Sequence, residues 1–313
     1  MKIIIAGGGT AGHINPAVAV AKYMQSKITD CKILFIGTKR GLEKKLIPNE
    51  GFNIKYIDVL GFKRSLSLSN VKVAAKMFSA YFQSGKIISE FKPHIVLGTG
   101  GYVSGPVVAA AAMQKIPTLI HEQNVSPGMT SKLLAPIVDT VCISFSQSKK
   151  YFKRAKKIIH TGNPLRAELF LQTKSKARKK LNLNEKPFIV SFGGSLGAKN
   201  INNAVLNFIA ASKNAENFQM LISSGESQYN EMRRMFKKIE GVKGSLSQIK
   251  IVPYINNMAD ALNAADLIIA RGGAITVSEI CALGKPSILI PSPNVTDNHQ
   301  EFNARALEAA GAA

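Results

Sequence analysis

Two strand–turn–helix openings, MKIIIA-GGGTAGH at residues 1–13 and PFIVS-FGGSLGA at 187–198, constrain this chain more than any other feature. In each, a short apolar run enters a glycine-rich turn and then a helical pattern, the opening of a nucleotide-binding α/β unit. Around them, strand-length apolar runs recur at 2–6, 32–37, 54–59, 94–98, 117–120, 139–143 and 157–160. A second series follows at 187–192, 218–223, 249–252, 266–270 and 286–290. Strands alternating with helices predict parallel sheets covered on both faces. The expected fold is therefore α/β, two Rossmann-like doubly wound parallel-sheet domains facing across a cleft that would hold a ligand. The Thr161-Gly162-Asn163-Pro164 turn and the Lys-rich stretch 174–180 put the boundary at 163/164, giving domains 1–163 and 164–313.

A chain of 313 residues with 46% apolar residues can bury two cores, which excludes disorder and disulfide miniatures. Cys31, Cys142 and Cys281 form no CxxC pair and read as reduced thiols. Met1-Lys2 precedes only four apolar residues, so no signal peptide or membrane span is expected, which points to the cytoplasm. The net charge of +22 is uneven, with 23 basic and 7 acidic residues through Asn163. Such a field favours an anionic partner, whether nucleic acid, acidic lipid or a phosphorylated substrate.

Gly7-x-Gly9-x-x-Gly12 has the dinucleotide spacing, with Asn15 placed to cap the helix and Pro16 to start it. The acidic residue that should close the second strand is missing, however. KILFIG runs into Thr38-Lys39-Arg40, which argues against NAD. His13, at the helix mouth, can remain neutral and accept a proton; it can equally be a residue that only bonds the turn. In the second half, Gly193-Gly194-Ser195-Leu196-Gly197-Ala198 and Arg271-Gly272-Gly273-Ala274 are two further anion-binding turns. Glu279, one turn into the following helix, could bind a ribose diol or lie solvated. Together these features indicate a nucleoside diphosphate. No metal-ligand constellation stands out, so Arg166, helix dipoles and amides would meet the diphosphate charge.

The segments GGGTAGHINPA, GGYVSGP (100–106), HEQN (121–124), GNPLR (162–166), GGSLGA, RGGAITVSE and DNHQEFNA (297–304) complete the pattern. With these motifs in this order, the chain resembles the bacterial UDP-N-acetylglucosamine:lipid I N-acetylglucosaminyltransferases over residues 1 to about 311. The resemblance implies a GT-B fold and inverting transfer of GlcNAc from UDP-GlcNAc to the MurNAc 4-hydroxyl of undecaprenyl-linked lipid I. It implies neither a cofactor nor an active-site metal. By motif match, Thr10, Ala11, Gly12 and Asn124 would meet the sugar or the acceptor, and Arg166 and Ser195 the diphosphate. The Ile255 backbone would read uracil. Ala274, Ile275, Thr276, Val277, Ser278 and Glu279 would cover the diphosphate and ribose, and Gln300 would hold sugar hydroxyls. His13 would activate the acceptor, with Glu122 as rival or helper.

The resemblance also implies a peripheral enzyme at the cytoplasmic face of the cell membrane. Residues 62–88 are a candidate contact, because Val73, Met77, Phe78, Tyr81, Phe82 and Ile88 recur at helical spacing among Lys72, Lys76 and Lys86. A core-packed amphipathic helix would read the same way. Two departures stand out. Ala11 replaces the usual glycine of the first loop, and the family continues for several tens of residues past the position matched by Ala313. Alternative readings are a diacylglycerol glycosyltransferase or an inactive UDP-sugar- or membrane-binding form. Nucleic acid is not an expected partner, since no RNP, zinc-finger or helix-turn-helix signature accompanies the charge.

Overall fold

The computed structural model describes residues 1–61, 69–194 and 197–313, so Ser195 and residues 62–68 of the candidate membrane segment lie outside the described residues. The chain divides into two compact units, Met1–Arg166 and Ala167–Ala313. This division falls three residues beyond the boundary read from the Thr161–Pro164 turn and assigns Arg166 to the first unit.

The first unit is a seven-stranded, all-parallel sheet built from β1 (Lys2–Gly7), β2 (Lys32–Gly37), β3 (Asn53–Tyr56), β4 (Ile95–Gly100), β5 (Thr118–Glu122), β6 (Thr140–Ile143) and β7 (Ile158–His160). Its order is β3-β2-β1-β4-β5-β6-β7. The side chains of β1 show why both faces must be covered. Ile3 and Ile5 join one buried cluster, with Ile14, Ala17, Val18 and Ala21 of α1 (Ala11–Lys27). Ile4 and Ala6 join the other, with Ala80, Ile87 and Ile88 of α3 (Ser69–Phe91) and Val107, Val108 and Ala111 of α4 (Ser104–Met113). A strand buried on both sides reads as a continuous apolar run. That is why IIIA was legible as a strand. Two short helices complete the parts used below, α2 (Glu43–Asn49) after β2 and α5 (Met129–Leu134) after β5.

The second unit repeats the plan with β8 (Phe188–Phe192), β9 (Gln219–Ser223), β10 (Ile249–Val252), β11 (Leu267–Ala270) and β12 (Ser287–Leu289), all parallel in the order β10-β9-β8-β11-β12. One face is sealed by Ile201, Val205, Leu206 and Ile209 of α7 (Lys199–Ala211) with Met232 and Phe236 of α8 (Tyr229–Lys243). The helix α6 (Lys174–Lys180) carries Lys174 and Arg178. Both reach Asp266 just before β11, at 2.5 and 3.0 Å. Asp266 also accepts from the Phe188 amide at 2.8 Å, so one carboxylate ties the starts of the two neighbouring interior strands β8 and β11 to the connecting helix. The remaining helices are α9 (Met258–Ala264), α10 (Ala274–Ala282) and α11 (His299–Glu308).

Two local expectations need correction. The first helix starts at Ala11, with Thr10 extended (φ −133°, ψ 156°) as its flanking residue, rather than at Asn15-Pro16. The Thr10 carbonyl already accepts from the His13 and Ile14 amides, so the helix is nucleated inside the glycine turn. Pro16 therefore lies within the helix, where it removes the donor that would reach the Gly12 carbonyl. In α3, Val73 and Ile88 are core residues, 5% and 0% exposed, not part of a surface patch.

Candidate active site

Open parallel sheets bind ligands beyond the carboxyl ends of their strands, where the strand order reverses. In the first unit the reversal lies between β1 and β4, and in the second between β8 and β11. All four loops at these points are glycine-rich motifs of the sequence.

At the first reversal, His13 in the opening turn of α1 faces the loop after β4. Its Nδ1 lies 3.0 Å from the Gly8 carbonyl and 3.4 Å from Thr10 Oγ1. A carbonyl can only accept, so Nδ1 carries a proton. The ring presses on Gly100, where a Cβ would stand 2.7 Å from Cδ2 and 3.0 Å from Nε2. Gly101, at φ +77°, leaves room for the Gly8 carbonyl, which a Cβ would approach to 2.4 Å. Polar side chains hold the two loops in place. Thr99 Oγ1 donates to the His13 carbonyl at 2.9 Å, and Ser104 Oγ bridges the Gly100 amide and the Ala6 carbonyl.

The glycine fingerprint does aim an amide at an anion, but the anion belongs to the protein. Glu43 of α2, fully buried, accepts from the Gly9 amide at Oε2 (2.9 Å) and from the Thr38 amide and hydroxyl at Oε1 (3.0 and 2.8 Å). Gly8 and Gly41 crowd this carboxylate so closely that a Cβ on either would overlap it, and a Cβ on Gly37 would overlap the Glu43 Cγ. The acidic residue that seemed missing after the second strand is thus present five residues later, turned onto the loop instead of a ribose.

At the end of β5, HEQN folds into a bonded cluster. Glu122 is 3% exposed; its Oε1 accepts from the Asn124 amide and side chain, and its Oε2 accepts from the Gly128 amide. The arrangement fixes Asn124, which stays half-buried at the surface of the site. Gln123 donates to the Thr99 carbonyl at 2.8 Å, joining this cluster to the His13 loop. His121 Nε2 bonds the Gly162 carbonyl at 3.0 Å, and its burial pushes the imidazole below its ordinary value, against smaller opposing effects of that carbonyl and of Glu122. Arg166 ends the first unit, half-buried. Ala11, at the mouth of α1, is half-buried, and Gly12 beside it is exposed.

In the second unit, the loop after β8 brings Gly197, at φ +75°, against the Ser224 carbonyl, where a Cβ would come within 2.1 Å. After β11, Arg271 donates to the Ile290 and Pro291 carbonyls (3.1 and 3.0 Å), and burial lowers its guanidinium from the ordinary value. Gly273 flanks α10 in extended conformation, so the amides of Ala274, Ile275 and Thr276 lie in the first turn of the helix. Glu279 is 5% exposed, which removes the reading of a solvated helix residue. Val277 packs into the core, while Ile275, Thr276 and Ser278 remain partly exposed. Asn303 of α11, fully buried, donates to the Gly272 carbonyl at 3.1 Å. Gly272 sits so close to α11 that a Cβ would meet the Gln300 carbonyl at 2.3 Å. The Gln300 side-chain oxygen accepts from the Ser292 amide at 2.9 Å, and Ile255 is buried in the loop after β10. The bonding roles of Glu43, Thr99, Gln123, Arg271 and Asn303 were not legible in the sequence because each acts through a partner many positions away. The glycines flanking Glu43 were its one local signal.

Comparison with known proteins agrees with this layout. Residues 3–143 match the glycosyltransferase family 28 N-terminal domain, and residues 188–313 match its C-terminal domain. The chain is 53% identical over 313 residues to the UDP-N-acetylglucosamine–N-acetylmuramyl-(pentapeptide) pyrophosphoryl-undecaprenol N-acetylglucosamine transferase of Acetivibrio thermocellus, covering 100% of this chain and 84% of that protein. It is 44% identical to the protein of the same name from Clostridioides difficile, covering 100% of this chain and 76% of that one. Among solved structures, MurG of Acinetobacter baumannii aligns with a TM-score of 0.76 at 28% identity, over 99% of this chain and 84% of that one. A UDP-GlcNAc 2-epimerase from Neisseria meningitidis, 18% identical, shares the fold at a TM-score of 0.67, over 100% of this chain and 86% of that one. Both Rossmann-like units are thus those of a GT-B enzyme, and the chain belongs to glycosyltransferase family 28, among its N-acetylglucosamine transferases.

Proposed function

We propose that this chain transfers GlcNAc from UDP-GlcNAc to the 4-hydroxyl of MurNAc in undecaprenyl-linked lipid I, with inversion at the anomeric carbon. The relatives' names support the substrates. The observation that carries the chemistry is His13. With Nδ1 donating to the Gly8 carbonyl, Nε2 is the ring atom that would take a proton from a sugar hydroxyl. In the reaction the acceptor oxygen attacks C1 as its proton passes to Nε2, and the C1–O bond to UDP breaks with its electrons going to the diphosphate.

The departing charge falls to the opening amides of α10, with Arg166 and Ser195 as further donors. Glu279, buried one turn along, takes the ribose hydroxyls, and the Ile255 backbone takes uracil. Gln300 meets sugar hydroxyls through its amide nitrogen, since its oxygen is engaged by Ser292. Thr10, Ala11, Gly12 and Asn124 line the sugar and acceptor side. The Glu122 carboxylate, bonded through both oxygens to its own loop, fits the helper role of setting Asn124 better than that of base.

The acceptor's lipid sets the location. No helix among the described residues is long and apolar enough to cross a membrane. Phe78 and Phe82 of α3 nevertheless stand 67% and 58% exposed, edge to face at 4.8 Å. Met129 and Leu133 of α5 are exposed as well, with Lys132 between them. Aromatic and aliphatic side chains beside lysines suit peripheral contact with an anionic leaflet at the cytoplasmic face.

The test is transfer from UDP-GlcNAc to a lipid I analogue in EDTA, with diacylglycerol as control acceptor. Transfer to lipid I, lost in His13→Ala while UDP-GlcNAc binding persists, is expected. Near-normal turnover by that variant would remove His13 as base, and transfer to diacylglycerol alone would overturn the acceptor.

A further inference from the structure

The bonds around the first glycine loop meet in a single peptide group. The Gly9 N–H that Glu43 Oε2 accepts at 2.9 Å and the Gly8 carbonyl that His13 Nδ1 approaches at 3.0 Å are the two ends of the Gly8–Gly9 peptide. We propose that Glu43 is the positioning residue of His13, acting through that peptide as a carboxylate–peptide–histidine relay. A carboxylate on the N–H end draws the amide toward its charge-separated form, which makes the carbonyl a stronger acceptor. The stronger acceptor keeps the proton on Nδ1, orients the ring and raises the basicity of Nε2. The inference rests on His13 being the base, as proposed above.

The surroundings are built for this. Glu43 is 0% exposed and lies 34 positions from Gly9 in the chain, so its bond fixes one loop relative to another element. The Thr38 hydroxyl that donates to Oε1 also accepts from the Gly41 amide at 3.2 Å, closing the cradle. The other titratable groups at this end of the sheet include Tyr102, Lys39, Arg40, Glu122 and His121. Tyr102, in the loop after β4, lies 3.7 Å from where a Cβ on Gly9 would stand. Arg40, in the turn after β2 with Lys39, pairs with Asp58, and Glu122 and His121 at the end of β5 bond within their own cluster. Among the carboxylates named here, Glu43 is the one bonded to the peptide that His13 holds.

Glu43→Gln separates the relay from packing. An amide in that place keeps its oxygen on the Thr38 donors only by turning its NH2 toward the Gly9 N–H, donor against donor. Histidine 15N NMR of the full chain should show His13 as the Nδ1–H tautomer, and Glu43→Gln should shift it toward Nε2–H. The variant should lose about 10- to 100-fold in kcat on the lipid I analogue with KM for UDP-GlcNAc within about twofold. The acidic limb of its kcat/KM profile should move to lower pH. A wild-type His13 found as Nε2–H overturns the proposal without any variant. An unchanged tautomer, kcat and pH profile in Glu43→Gln overturns it equally. If His13→Ala retains turnover, the base assignment falls, while the tautomer spectra still decide whether Glu43 reaches the ring.

Discussion

Replacing Gly101 by alanine tests the contact between the two loops that frame His13. The residue sits at φ +77°, and a Cβ there would stand 2.4 Å from the Gly8 carbonyl oxygen and 3.3 Å from His13 Nδ1. Left-handed backbone costs a non-glycine residue roughly 1–2 kcal/mol. Forcing a methyl into filled space adds about 1–3 kcal/mol. Gly51 supplies the control, because it has φ +83° with nothing within 4 Å of a Cβ and lies in the same unit. Gly51→Ala should therefore cost the backbone part alone, and Gly101→Ala roughly 2–5 kcal/mol in all. Urea unfolding followed by a probe in the first unit measures both. Because the oxygen that must move is the one His13 bonds, Gly101→Ala should also lose turnover while Gly51→Ala keeps it. Equal destabilisation by the two substitutions, with normal turnover in Gly101→Ala, would refute the tight packing of these loops.

Other outcomes follow from the same geometry. Glu279→Ala should weaken UDP-GlcNAc binding at least about tenfold by calorimetry, the loss of hydrogen bonds to a buried charged group; unchanged affinity would remove it from the ribose site. His121 is held below its ordinary value of 6.5 chiefly by burial, so below that pH the unfolded chain binds the proton that the folded unit refuses. Stability of the first unit should accordingly fall as pH drops through 6.5, and His121→Gln should flatten that slope in pH-dependent melts. Asp266 is held below 3.8; desolvation opposes this, but the Lys174 hydrogen bond, the Phe188 amide and the charges of Lys174 and Arg178 outweigh it. Its contribution is present above 3.8 and lost as pH falls further. Asp266→Asn should cost about 1 kcal/mol at pH 7, and a melt indistinguishable from wild type would sink the anchoring role. Phe78→Ser with Phe82→Ser should reduce flotation with anionic vesicles while sparing activity on a soluble acceptor analogue, whereas undiminished flotation would place the contact elsewhere.

The parts of this molecule that were legible in the sequence are those set by neighbours in the chain. Among the described residues the twelve strands stand where short apolar runs fell, and those in the sheet interiors, such as β1, are buried on both faces and leave a continuous apolar signature. The turn before Ala274 was equally legible, since a strand, two glycines and a helix start are contiguous. What stayed hidden was decided at a distance. The start of α1 moved to Ala11 because the glycine turn itself nucleates the helix, something Pro16 and Asn15 do not reveal. The face of α3 could not be assigned from period alone, and tertiary packing took Val73 and Ile88 inside while leaving Phe78 and Phe82 out. Glu43 was overlooked because the dinucleotide pattern directs attention to the strand's last residue, and this carboxylate arrives from the next helix. For Glu279 the sequence left a ribose ligand and a solvated helix residue both open, and its burial, a matter of tertiary packing, removes the second.

The seating of α11 on Gly272 joins two kinds of recognition mechanically. Asn303 grips the Gly272 carbonyl while the Gln300 carbonyl occupies the space a side chain on Gly272 would need. The helix that carries Gln300 and the turn that opens α10 therefore move as one lever. On the proposed assignment of Gln300 to the sugar and α10 to the diphosphate, a donor whose sugar pushes α11 aside would also tilt the amides that hold its phosphates. Breadth of sugar choice and grip on the nucleotide then become a single coupled property, and variants of α11 selected to accept bulkier sugars would surrender nucleotide affinity in the same step.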